Sequence, residues 1–201
     1  QMKLITDKTK IASTLLTLLF AVTTAMNAQT PVIKWWYDTN DASFGQSAAG
    51  DIDGDGLLEV VFGCYRNDSS VYALNAENGT LLWKYNTHPA GAEGCNDVAP
   101  VIYDVDGDSL VEVIVPSSCN PVTFCFNGLS GTVKWQCNTL GSDSPPVIAD
   151  VDNDGLPEVL HGEFGGYVKC INAENGTQAW EIPVDLNSWI QTAPTVVDLD
   201  N

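Results

Sequence analysis

The chain has 201 residues and a net charge of −18, with 26 aspartate and glutamate residues against only 8 lysine and arginine residues. A surface this acidic repels phosphate and attracts cations, which argues against nucleic acid as a partner. The length suffices for one domain of ordinary size.

The first 28 residues have the pattern of a secretory signal peptide. Three lysines precede an apolar, uncharged run over residues 11–25, and small residues continue to Ala28. This run is shorter than the about 20 apolar residues that a membrane span needs. We therefore predict export to a secreted or cell-surface location, cleavage after Ala25 or Ala28, and no transmembrane span in the mature chain.

Residues 29–201 repeat themselves. An acidic loop begins at Asp51, Asp104, Asp150 and Asp198, at intervals of 53, 46 and 48 residues. A glycine followed four residues later by a tryptophan recurs in step with these loops: Gly79 with Trp83, Gly131 with Trp135, and Gly176 with Trp180. A period near 48 residues, with four short predicted strands in each unit, is typical of a blade of a β-propeller.

We predict an all-β fold, a β-propeller with about three complete blades and two partial ones. The complete blades cover about residues 46–87, 97–138 and 144–183. Residues 32–39 resemble the end of the first blade, so we predict that they form the outer strand of a blade that closes the ring. Residues 192–201 are predicted to begin a further blade. Because three blades cannot close a ring, the chain is predicted to be a fragment of a larger propeller.

Two residue types are predicted to pack the blades. The tryptophan near the end of each unit can bury 150–250 Å² between neighbouring blades. Cys125 and Cys170 align with Ala73 in the third strand, and we predict that they are small buried residues and not a redox pair.

The acidic loops are predicted to bind calcium. Each complete loop has carboxylates at positions 1, 3, 5 and 9, which can converge with the carbonyl of position 7 on one point. Calcium accepts 6–8 such oxygens, whereas magnesium demands stricter octahedral geometry. The predicted ligands are Asp51, Asp53, Asp55, Leu57 and Glu59; Asp104, Asp106, Asp108, Leu110 and Glu112; Asp150, Asp152, Asp154, Leu156 and Glu158; and Asp198 and Asp200 of a fourth loop.

Two other interpretations of these loops are weaker. An EF-hand has a glutamate at position 12, where Phe62, Val115 and His161 stand. Solvated acidic turns would leave four carboxylates within about 5 Å, which repel by roughly 1–4 kcal/mol per pair. The second loop is the weakest calcium candidate, because Ser109 stands where we expect positive φ, at a cost of about 1 kcal/mol.

The loops resemble those of FG-GAP and VCBS repeats, the calcium-bearing blades also found in integrin α-chain propellers. Asp51, Asp53, Asp55 and Glu59 match that pattern, as do their counterparts in the second and third loops. The resemblance implies structural calcium and covers residues 32–201.

Residues 72–83 and 172–180 resemble a second type of blade, that of quinoproteins. Gly128 departs from this pattern, because Ala76 and Ala173 stand at its position in the other units. The resemblance suggests a dehydrogenase that uses pyrroloquinoline quinone (PQQ), but many non-enzymatic propellers share this packing motif, so it implies the fold and not the activity.

The loops at the other end of the blades are candidates for ligand binding. Tyr65, Arg66, His88 and Trp189 fall in or near these loops. A disulfide such as Cys64–Cys95 or Cys95–Cys119 is one way to fix them, among fifteen possible pairings of six cysteines.

The predicted function is a non-catalytic binding, adhesion or scaffold module for an extracellular protein or glycan. No Ser-His-Asp, Cys-His or paired-acid arrangement stands apart from the calcium loops in the sequence. The alternative is an enzyme on the same fold, a polysaccharide lyase or PQQ-dependent dehydrogenase, with catalytic residues outside this fragment.

Overall fold

The computed structural model describes residues 32–88 and 94–199. These residues form twelve β-strands in three antiparallel four-stranded sheets and contain no helix. The predicted signal peptide, residues 1–28, lies outside the described residues, as do Asp200 and Asn201. The predicted all-β fold with three complete blades is confirmed.

Each blade is an up-and-down sheet whose spatial order follows the chain. The first contains β1 (Ala48–Gly50), β2 (Glu59–Gly63), β3 (Ser70–Asn75) and β4 (Leu81–Asn86). The second contains β5 (Val101–Tyr103), β6 (Glu112–Pro116), β7 (Val122–Asn127) and β8 (Val133–Asn138). The third contains β9 (Val147–Ala149), β10 (Glu158–Gly162), β11 (Tyr167–Asn172) and β12 (Gln178–Pro183).

All three blades share an irregularity in the pairing of their two outer strands. A β-bulge interrupts the register after Ala73, Cys125 and Cys170, each of which lies opposite the blade's tryptophan. The short first strands β1, β5 and β9 lie beside one another. The three sheets therefore use the same backbone geometry, with their shortest strands adjacent.

The hydrophobic core lies between neighbouring sheets. One cluster joins the first blade, through Val61, Val71 and Trp83, to Val113 and Phe126 of the second. A second cluster joins the second and third blades. Strand alternation explains why both faces of β6 are buried, because the second blade packs against a neighbouring blade on either side.

Trp83 and Trp135 pack between neighbouring blades, as predicted. The indole Nε1 of Trp83 donates to the Gly128 carbonyl at 2.6 Å, and that of Trp135 donates to the Ala173 carbonyl at 2.8 Å. Gly128 stands where the other blades have alanine, but it still accepts the tryptophan hydrogen bond because the acceptor is its backbone oxygen.

The glycine of one blade receives the tryptophan of the blade before it. A Cβ placed on Gly131 would lie 2.5 Å from the Trp83 ring, and one on Gly176 would lie 2.6 Å from the Trp135 ring. Both glycines also have positive φ, which disfavours any residue with a Cβ. The two residues of each motif thus contact different neighbouring blades.

Residues 32–39, predicted to form the outer strand of a closing blade, contain no strand in the described part of the chain. A strand needs a partner for its backbone N–H and C=O groups, and no neighbouring strand supplies one in the described ranges. Trp35 nevertheless behaves like the other motif tryptophans, since its Nε1 donates to the Ala76 carbonyl at 2.7 Å and its ring lies against Gly79.

Residues 192–199 likewise form no strand, so the predicted start of a further blade is not present as a sheet.

Candidate metal centres

The acidic loops join the first and second strands of the three blades, and left-handed residues bend them. The fourth and sixth positions have positive φ in every loop: Gly54 and Gly56, Gly107 and Ser109, Asn153 and Gly155. Ser109 has a φ of 71°, so the sequence prediction for this position is confirmed. Glycine adopts this conformation without steric penalty and asparagine tolerates it, whereas Ser109 adopts it at a steric cost.

Backbone N–H groups hold the aspartates of the first loop in place. Asp51 accepts hydrogen bonds from Gly54 and Gly56 at 2.8 and 3.0 Å. Asp53 accepts one from the Asp55 N–H at 3.1 Å, and Asp55 accepts one from the Leu57 N–H at 2.8 Å. All four bonds recur in the second loop and three of them in the third. The carboxylates are therefore oriented by the loop itself.

The ninth position of each loop is a buried glutamate at the start of the second strand. Glu59, Glu112 and Glu158 have exposed fractions of 0%, 0% and 2%. One oxygen of each accepts a hydrogen bond from the N–H of the second loop residue, at 2.9, 3.1 and 2.8 Å respectively. Each glutamate thereby connects the end of its loop to the beginning.

The first loop contains a buried oxygen with no partner. Glu59 Oε1 makes no hydrogen bond within the described part of the chain. Burial raises the pKa of Glu59, and the neighbouring aspartates raise it further. The pKa of Glu158 is raised by burial in the same way. An unpaired buried carboxylate is costly, so a cation is the natural partner.

The predicted ligands come together in part. Carboxylate oxygens of Asp51, Asp53 and Glu59 lie within 4.8 Å of one another, as do those of Asp150, Asp152 and Glu158. In the second loop the group is Asp104, Asp106 and Asp108. Asp55, Glu112, Asp154 and Asp198 belong to no such group among the described residues, and Asp200 lies outside them. The donors are all hard oxygens, the ligands that calcium prefers.

The opposite ends of the blades carry an open cavity of about 300 Å³. It is lined by Tyr65, Arg66, Asp97, Ser118, Cys119, Asp143, Phe164 and Trp189. Three of the four residues proposed from sequence for ligand contact line this cavity, and His88 does not. The ring centroids of Phe164 and Trp189 lie 4.6 Å apart. Burial raises the pKa of Asp143, whose Oδ1 has no hydrogen-bond partner in the described residues.

A disulfide fixes two loops at this end of the blades. Cys95 bonds to Cys119, which selects one of the two pairings considered from sequence. Cys64 is instead a buried thiol, and burial raises its pKa to about 11. Cys125 and Cys170 are fully buried opposite the tryptophans, as predicted.

A buried polar cluster in the third blade escaped the sequence analysis. The fully buried His161 pairs through Nε2 with the Thr123 hydroxyl at 2.9 Å, and burial lowers its pKa to about 4. Glu163, whose pKa burial raises to about 7, lies 3.5 Å from the Lys169 ammonium. Strand residues 38 positions apart meet here, so no local signal could have found this cluster.

Comparison with known proteins supports the fold. Residues 51–115 match the family model of the FG-GAP-like repeat. No curated protein is significantly similar in sequence. The described residues contain no apolar helix of membrane-spanning length.

Three solved structures resemble the chain. BamB from Moraxella catarrhalis is 24% identical with a TM-score of 0.61, over 82% of this chain and 44% of BamB. The quinohemoprotein alcohol dehydrogenase ADHIIG from Pseudomonas putida HK5 is 20% identical with a TM-score of 0.52, over 72% of this chain and 21% of the enzyme. The computationally designed Ika4 protein is 16% identical with a TM-score of 0.52, over 85% of this chain and 89% of Ika4.

The chain thus spans less than half the length of BamB and of the dehydrogenase. At these identities the likeness bears on the fold alone. Residues 51–115 accordingly match an FG-GAP-like repeat, and the three described sheets have the fold of β-propeller blades.

Proposed function

We propose that this protein is an exported β-propeller module whose acidic loops bind calcium and whose opposite face binds an extracellular protein or glycan without catalysis. The observation that carries the proposal is the first loop. There the buried Glu59 keeps an oxygen without a hydrogen-bond partner, beside the carboxylates of Asp51 and Asp53.

The donor set of this loop suits a calcium ion. Asp51, Asp53 and Glu59 would hold the ion, with Asp55 and the Leu57 carbonyl as the further ligands predicted from the sequence. When bound, calcium would supply the positive charge that these clustered carboxylates lack. The role is structural, because the acids belong to a turn that connects the two innermost strands of a blade.

The opposite face is the proposed ligand surface. Phe164 and Trp189 offer aromatic rings on which a sugar or an apolar side chain can pack. Asp97 and Asp143 offer hydrogen-bond acceptors beside them. The Cys95–Cys119 disulfide supports export, because such bonds persist in oxidising compartments. The likeness to an alcohol dehydrogenase concerns the fold, so it gives no reason to prefer the enzyme alternative.

The test of calcium binding is the substitution Glu59→Gln. The glutamine keeps the acceptor for the Ile52 N–H but removes a charged ligand, so we expect calorimetric titration to show the loss of one calcium ion per chain. Without calcium, the variant should be as stable as the original chain or more stable by about 1–2 kcal/mol, since a buried unpaired charge is gone.

The exposed Asp38 supplies the control. Asp38→Asn removes the same charge outside the acidic loops and should leave the titration unchanged. Equal calcium stoichiometry in the two variants would show that Glu59 binds no ion and would contradict the proposal.

A further inference from the structure

The second acidic loop differs from the other two because a lysine reaches into it. The ammonium Nζ of Lys134 lies 2.7 Å from Asp106 Oδ2 and 2.9 Å from Glu112 Oε1. These carboxylates occupy the third and ninth loop positions, which would both be calcium ligands. The Glu112 side chain is fully buried, so this contact is shielded from water on one side.

The equivalent positions in the other blades are apolar. Lys134 is the extra residue of the bulge in its blade, between Val133 and Trp135. Leu82 and Ala179 are the corresponding bulge residues of the first and third blades. Neither can place a positive charge in its loop. A lysine at the bulge position therefore occurs in the second blade and not in the other two.

The surroundings of the ninth-position glutamates differ between the second loop and the others. In the first blade Glu59 Oε1 has no hydrogen-bond partner among the described residues, whereas the same oxygen of Glu112 accepts from Lys134. In the first and third loops the glutamate joins the group of converging carboxylates, but in the second loop Asp108 takes its place. Two separate observations thus set the second loop apart.

We propose that the Lys134 ammonium serves as the cation of the second loop, so that this loop excludes calcium while the first and third loops bind it. An ammonium held by two carboxylates already balances the charge that the ion would balance. A calcium ion would also have to displace the lysine from Asp106 and Glu112 before it could bind them. The inference rests on the proposed calcium function and assigns two ions, instead of three, to the complete loops.

The test counts calcium ions bound by the full chain and its variants in calorimetric titrations. Lys134→Ala introduces the residue of the third blade, and Lys134→Leu introduces that of the first. We expect the unsubstituted chain to bind two ions, and each variant to bind one more with a dissociation constant in the range of about 10⁻⁴ to 10⁻³ M. Lys134→Arg keeps the charge and should stay at two.

Adding Glu112→Gln to Lys134→Ala should remove the extra ion, which assigns it to the second loop. An unsubstituted chain that binds three ions, or a Lys134→Ala chain that gains none over two, would overturn the inference and leave the proposed calcium function standing. No binding in any chain would instead overturn the proposed function, and the inference with it.

Discussion

Replacement of Trp135 by alanine is expected to lower the free energy of unfolding by about 3–5 kcal/mol, the usual cost of removing a large buried aromatic side chain. The ring is 8% exposed and packs against Gly176 of the next blade. Its loss leaves a cavity between the second and third blades and frees the Ala173 carbonyl from its indole donor. Urea unfolding followed by fluorescence or circular dichroism measures the change.

Trp36 is the matched control, because it is 78% exposed. Trp36→Ala should change stability by less than about 1 kcal/mol. A third variant, Trp135→Phe, keeps an aromatic ring without the N–H donor and should fall between the two. Similar stabilities for Trp135→Ala and Trp36→Ala would show that the tryptophan does not join the blades energetically.

Removal of the Cys95–Cys119 disulfide is expected to cost about 2–4 kcal/mol. The bond joins residues 24 positions apart, and closing a loop of this length raises the free energy of the unfolded chain by about 3.4 kcal/mol through lost entropy. The double variant Cys95→Ser, Cys119→Ser should therefore unfold at lower urea concentration than the original chain.

A reducing agent provides the control for this experiment. It should lower the stability of the original chain to about that of the double variant and leave the double variant unchanged. If reduction has no effect on the original chain, the two loops are not held by this bond.

The local features of the fold could be predicted from sequence. Acids at fixed positions and a glycine four residues before each tryptophan are short-range patterns, and they predicted three blades of four strands each. The need for positive φ at Ser109 followed from a comparison of one loop with its repeats, and the structure places φ there at 71°. Repetition made these predictions possible, because each unit served as a reference for the others.

The features that depend on distant partners could not be predicted. Residues 35–39 match the end of the first blade in sequence, but a strand forms only where another strand pairs with it. Lys134 lies 28 positions after Asp106, and a side chain that reaches across two strands leaves no local pattern. The choice of Cys119 over Cys64 as the partner of Cys95 was open for the same reason.

The central claim, that calcium bound in the acidic loops stabilises the blades, is tested most directly by thermal unfolding with calcium and with a chelator. At 1 mM calcium, two sites with dissociation constants of about 10⁻⁴ to 10⁻³ M contribute about 1–3 kcal/mol together. For a chain of this length, the midpoint should rise by roughly 2–10 °C over that in chelator, with a smaller rise in 1 mM magnesium. A midpoint that is the same in calcium and in chelator would contradict the account.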